Sequence, residues 1–116
     1  MEKFMFLFRG GENHAHNAQD SKVAADNMQA WMQWMGDLAG KGILVGGEPL
    51  QPTGKQVTGT KKVVSDGPFV EAKESVGGYL IVNAKDINEA VEISKGCPIF
   101  EENGRLEVRP IQSMEM

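Results

Sequence analysis

The first apolar run, FMFLF at 4–8, is hydrophobic at every position and carries phenylalanine at each second one. A strand buried in a fold's interior has this pattern. Arg9, Gly10 and Gly11 end it, and the polar string ENHAHNAQ follows at 12–19. The period then changes from two to between three and four. Met28, Trp31, Met32, Met35, Leu38 and Ala39 recur at helical spacing, with Gln29, Gln33 and Asp37 on the other side and Trp34 near the edge of the stripe. This predicts a helix capped by Asp20 or Ser21 and stopped by Gly40-Lys41-Gly42, with its apolar face packed on a sheet. Residues 43–45 read as a short second strand that Gly46-Gly47-Glu48-Pro49 turns. The Pro-, Gly- and Thr-rich stretch at 50–60 reads as an excursion or hairpin arm. Residues 61–65 and 77–83 read as further strands. Asp86, with Glu89 three residues on, opens a second helix that buries Ile87, Ala90, Val91 and Ser94 and ends near Gly96. Alternation at 106–110 predicts a last strand with one solvated or cleft-facing side. The element order is β-α-β-β-α-β, with room for an extra arm.

Between 63 and 83 the string VVSDGPFVEAKESVGGYLIVN sets a turn signal, a charged cluster and a glycine pair between two apolar runs. Asp66-Gly67 favours a tight turn, because glycine tolerates positive φ and the aspartate accepts nearby backbone donors. Pro68 fixes the corner. Beside that turn role, Asp66, Glu71, Glu74 and Glu48 are the carboxylates placed for chemistry. Extended geometry puts Glu71 and Lys73 on one side and Glu74 on the other, while helical geometry brings Glu71 and Glu74 together; the sequence leaves both open. A carboxylate beside Lys73 or Arg109 stays ionised and anchors a polar ligand. One withdrawn from water without a cation becomes a general acid or base. The competing reading is a solvated salt-bridge cluster. His14 and His16 lie two residues apart in the polar loop. With a carboxylate they could bind a divalent metal, but two ligands without a third at recognisable spacing are weak evidence for that. Solvated loop imidazoles are the competing reading, and reaching over a cleft as titrating bases is the further option.

The 116 residues suit one domain over 1–116, and 41% hydrophobic content argues for a folded core. Twelve Lys plus Arg against sixteen Asp plus Glu give a formal charge of −4, without a basic run. That balance disfavours direct contact with nucleic acid or anionic membranes. The single cysteine, Cys97, forms no internal disulfide and reads as a small buried group, as expected of a reducing, cytoplasmic setting. The apolar run at the start is too short to span a bilayer. No phosphate loop, dinucleotide fingerprint or nucleophile elbow is present, so no cofactor is expected.

The strings DGPFVEAKE at 66–74 and GGYLIV at 77–82, with GGEPLQPTG at 46–54, EVRPI at 107–111 and FMFLFRG at 4–10, closely resemble the DGPF-domain branch of the YCII-related family. The resemblance spans nearly the whole chain. It implies a ferredoxin-like α+β domain that pairs as a dimeric α+β barrel, hence a homodimer. In the wider family a His–Asp pair has been proposed as the active site, and Asp66 resembles its aspartate. This sequence departs from that pattern, since His14 and His16 precede the first helix rather than lying in it. Three functions follow as expectations: an acid–base enzyme of lyase or isomerase type with its cleft near Asp66, a module that binds a small molecule unchanged, and a regulatory protein. The last rests on relatives that occur beside sigma factors, and implies a sigma-factor partner without DNA contact. The expected site comprises Asp66 and Glu74 as catalytic groups, with His14 and His16 as further ones, and Glu48, Glu71, Lys73 and Arg109 as ligand-binding groups.

Overall fold

A computed structural model describes residues 1–10, 21–51, 53–67 and 76–114 of the chain. The expectations for His14, His16, Glu71, Lys73 and Glu74 lie outside the described residues.

β1 (Glu2–Arg9) occupies an interior position because its phenylalanines demand burial: Phe4, Phe6 and Phe8 are all buried, while Met5 and Leu7 between them are half-buried on the opposite face. It pairs antiparallel with β5 (Val76–Ala84) on one side and β6 (Arg105–Pro110) on the other. β2 (Leu44–Pro49) closes the outer edge of β5, giving the order β2-β5-β1-β6. α1 (Ser21–Gly40) and α2 (Ile87–Ser94) both cover the phenylalanine face. There Trp34, Leu38 and Ala90 join Phe4, Phe6, Phe8, Leu80 and Val82 in one core, with Ile99 from the 3-10 turn Pro98–Glu102. These are the connections and strand order of a ferredoxin-like α+β fold. Burial of each large side chain of this kind stabilises by about 1.5–3 kcal/mol. No helix among the described residues is long and apolar enough to cross a membrane.

The structure corrects several expectations. In α1 the buried line is Trp34 and Leu38, with Trp31 and Met35 half-buried, whereas Met28, Met32 and Ala39 are exposed. The indole of Trp34, expected at the edge, lies parallel to Phe6 at 6.4 Å and edge-on to Phe8, so the helix is rotated to put both tryptophans against the phenylalanines. Aromatic surfaces of this size outweigh thioethers in deciding which side faces the sheet. In α2, Ile87 and Val91 are exposed and Ala90, Ile93 and Ser94 face the core. The short helix is rotated so that these three turn toward the sheet. The cap is as expected: the Asp86 side chain accepts from the Glu89 N–H at 2.9 Å.

Gly46-Gly47-Glu48-Pro49 is strand rather than turn. A β-carbon on Gly47 would run into the Tyr79 carbonyl oxygen and the Leu80 side chain and come within 2.8 Å of Leu80 Cα, so the glycine permits a closeness between β2 and β5 that side chains forbid. The 50–60 stretch does form a hairpin arm. β3 (Gly54–Thr58) pairs with β4 (Val63–Gly67) in a separate two-stranded sheet, so the strand expected at 61–65 belongs to the arm and not to the main sheet. Val57 and Val64 face each other across it and both remain exposed. Cys97 is buried and caps the 3-10 turn, its sulfur accepting from the Ile99 N–H at 3.4 Å.

Candidate functional site

Rotation of α1 leaves a groove along one side of the helix. Phe8 and Leu80 supply its sheet side, Trp31 and Met35 its inner wall, and Met28 and Met32 an exposed lip. Strand residues 47–49 and 77–80 complete the lining, and the volume is about 460 Å³. Its aromatic corner is rigid: Trp31 stands edge-on to Phe8 at 5.0 Å and to Trp34 at 5.9 Å.

Behind the wall lies a group that the sequence did not flag. Glu102, at the end of the 3-10 turn, is only 2% exposed. Its Oε2 accepts from Trp31 Nε1 at 3.0 Å and its Oε1 from Asn27 Nδ2 at 3.3 Å. Both donors line the groove. Burial of a carboxylate is costly unless donors replace water, and these two do so. Among the described residues every buried side-chain polar atom has a partner. Nothing local in EENG at 101–104 announces this, because the partners are more than seventy residues away.

The described site candidates sit apart from one another. Glu48 pairs across the strands with Tyr79, and Tyr79 pairs with Leu7. Since side chains alternate along a strand, Glu48 and Tyr79 direct theirs to the face away from the helices, where the phenol donates to Glu48 Oε2 at 3.4 Å. Asp66 is near the end of β4, largely exposed, and accepts from Lys55 Nζ at 2.8 Å across the arm. Arg109 lies on β6 and donates to Glu107 at 3.2 Å. β2 and β6 are the two edges of the sheet, about 14 Å apart at the usual strand spacing, so one small ligand does not bridge Glu48 and Arg109 within a chain. Among the described residues no group of three or more His, Cys, Asp or Glu is placed to hold a metal ion.

Among the described residues two titrating groups are displaced from their ordinary values. Burial pushes the Cys97 thiol from 9.0 up to about 12, with the nearby Glu102 charge adding to the effect, so Cys97 is no nucleophile at neutral pH. Glu107 is held below its ordinary 4.5, first by the hydrogen bond from Arg9 at 3.1 Å and then by that from Arg109. A depressed carboxylate stabilises the fold fully above its unfolded value and loses that contribution as pH falls through the lower folded one. The stability advantage of the wild type over Glu107→Gln is therefore expected to be small, as exposed pairs are, and to shrink on acidification below about 4.5. Urea unfolding of both proteins across that range checks it, and a pH-independent difference would sink the assignment.

Comparison with known proteins bears on the fold first. The solved structure of TftG, the 5-chloro-2-hydroxyhydroquinone dehydrochlorinase of Burkholderia phenoliruptrix AC1100, in complex with 2,5-dihydroxybenzoquinone, is similar to this one with a TM-score of 0.52. The match covers 95% of this chain and 93% of that one at 17% identity, a likeness of fold. No curated protein matches the sequence. The profile of the YCII-related domain matches residues 3–115, so the chain belongs to the YCII-related family.

Proposed function

We propose that the protein binds a small ring-bearing organic molecule in the groove beside α1 and acts on it by acid–base chemistry of lyase or isomerase type. The groove carries this reading. A volume near 460 Å³ suits a small molecule, and its lip is made of Met28 and Met32, 63% and 64% exposed, next to the edge of an indole. Polarisable thioethers and aromatic edges favour a planar ring. TftG, with its dihydroxybenzoquinone, supports a ring-bearing ligand on this fold. The acid–base groups proposed are Asp66, Glu74, His14 and His16, with Glu71 and Lys73 as ligand-binding groups. Glu48 directs its side chain to the opposite face of the sheet and Arg109 lies at the far edge, so neither binds a ligand in this groove within one chain. Phe8 lies in the groove just before the connection bearing the histidines, and Gly77 just after the one bearing Glu71, Lys73 and Glu74.

The proposal includes a homodimer. Both helices cover one face of the sheet, and the other presents Met5, Leu7, Tyr79 and Ile81 half-buried in a single chain. A second copy meeting this face about a two-fold axis would cover it.

A thermal-shift screen of phenols, small organic acids and divalent cations tests the site, run on the wild type, Met32→Glu and Asp66→Asn. Both substitutions fall on exposed side chains, so each is expected to change stability by less than about 1 kcal/mol. A stabilising compound whose effect disappears in Met32→Glu places the ligand in the groove. Loss in Asp66→Asn as well assigns Asp66 to the site, and turnover of that compound decides between enzyme and binding module. Cooperative melting of the wild type with no compound shifting it overturns the proposal and favours a protein partner.

A further inference from the structure

We propose that Glu102 is the positioning residue of this groove, and that by orienting Asn27 and Trp31 from behind the wall it selects neutral hydroxyl-bearing rings over ring carboxylates. The inference rests on the groove reading above and deepens it.

An ionised carboxylate only accepts hydrogen bonds, whereas an asparagine amide presents an acceptor on one side and donors on the other. Glu102 receives Asn27 Nδ2 at 3.3 Å, which fixes which way round that amide sits. Oδ1 is the atom turned away from Glu102, and Asn27 lines the groove. The second oxygen of Glu102 is occupied by Trp31 Nε1 at 3.0 Å, so the indole ring that forms the aromatic wall is pinned as well. The carboxylate is thus held with both oxygens in use and little contact with water. A ligand in the groove therefore meets an acceptor backed by negative charge. The described lining beside Asn27 on α1, Met28, Trp31 and Met32, carries no cation to offset it. A hydroxyl donates to such a group, and a carboxylate is repelled by it.

The substitution Glu102→Gln distinguishes this role from simple packing. A glutamine offers one oxygen and one NH2 in the same shape. With its oxygen kept for Trp31, its NH2 faces Asn27, whose amide then reverses and presents donors toward the groove. Selectivity should change as well as affinity. The probes are 4-methylphenol and 4-methylbenzoate, which differ only in carrying a hydroxyl or a carboxylate opposite the methyl, with binding followed by tryptophan fluorescence. The wild type is expected to prefer 4-methylphenol, and the preference is expected to fall about tenfold in Glu102→Gln, as loss of a buried charge near the ligand allows. The Trp31 indole N–H, identified in the NMR spectrum by its loss in Trp31→Phe, should stay protected from exchange in the variant.

Asn27→Ala gives a second arm that leaves the Trp31–Glu102 bond in place. It should weaken 4-methylphenol binding by a few-fold without weakening 4-methylbenzoate, lowering the same ratio. Binding of both probes with one ratio in all three proteins overturns the role of Glu102 and leaves the groove standing. Binding of neither probe to the wild type defeats the groove and this inference together.

Discussion

Phe6→Ala is expected to cost about 3–5 kcal/mol, the range for removing a fully buried phenylalanine ring. Phe6 is 0% exposed on β1, an interior strand of the four-stranded sheet, with Val108 and Leu80 as cross-strand neighbours and Trp34 stacked above it. The ring therefore touches strands on both sides and the helix over them, and the rigid aromatic corner formed with Phe8 cannot collapse into the space left. Against a total stability of about 5–15 kcal/mol for a domain of this kind, much of the folded population is at risk. The melting temperature should fall by about 10–20 °C. Urea unfolding of wild type and variant checks this, with Met28→Ala, on an exposed side chain of α1, as the comparison expected to change by less than about 0.5 kcal/mol. A loss below about 1 kcal/mol in Phe6→Ala would mean that the aromatic cluster is not the core of the fold.

Leu7→Glu is expected to convert the proposed dimer to single chains. Leu7 alternates with Phe6 and Phe8 and so lies on the sheet face without helices, opposite Tyr79 and Glu107. In a two-fold assembly through that face, one substitution places a carboxylate in the interface twice. Each copy would be desolvated beside apolar neighbours and Glu107, at a cost of about 2 kcal/mol or more, so association should weaken at least a hundredfold. Light scattering behind size exclusion reads the result: twice the chain mass for the wild type and for the exposed-helix control Gln33→Glu, and the chain mass for Leu7→Glu. A wild type of single-chain mass at high concentration would defeat pairing through the sheet. An unchanged dimer in Leu7→Glu would move the interface elsewhere, with the arm bearing Val57 and Val64 as the next surface to test.

Element type and order were legible because they depend on local pattern. FMFLF had to be an interior strand, 21–40 had to be a long helix, and Asp86 with Glu89 had to cap a second one. The hairpin arm was legible as an alternative, because glycine, proline and threonine mark where regular packing stops. Less legible was which way each helix faced. A stripe of Met28, Trp31, Met32, Met35 and Leu38 is wide enough to permit several rotations, and Trp34 lies between two of them. Contact between indoles and phenylalanines, a pairing across more than twenty residues of chain, chose one rotation and left the methionines outside as the lip of a groove. Ile87 and Val91 were misassigned for the same reason, since hydrophobicity ranked them inward while the rotation of α2 turned Ala90, Ile93 and Ser94 toward the sheet.

The site divides along the same line. Asp66, Glu48 and Arg109 stand out by residue type and turn chemistry, which a sequence displays, yet their surroundings here are a lysine across an arm, a tyrosine across a strand and a glutamate two residues away. Asn27 and Glu102 carry no motif, and their meeting depends on how α1 lies against a turn more than seventy residues later. The sequence by itself determined the kinds of element, their order and the aromatic content of the core, because backbone propensity and hydrophobic period act over a few neighbouring residues. Tertiary structure alone decided the rotation of α1, the strand character of Gly47, the groove and the buried carboxylate behind it. Each of these depends on close packing between segments distant in the chain, where a few ångströms decide which side chain fits.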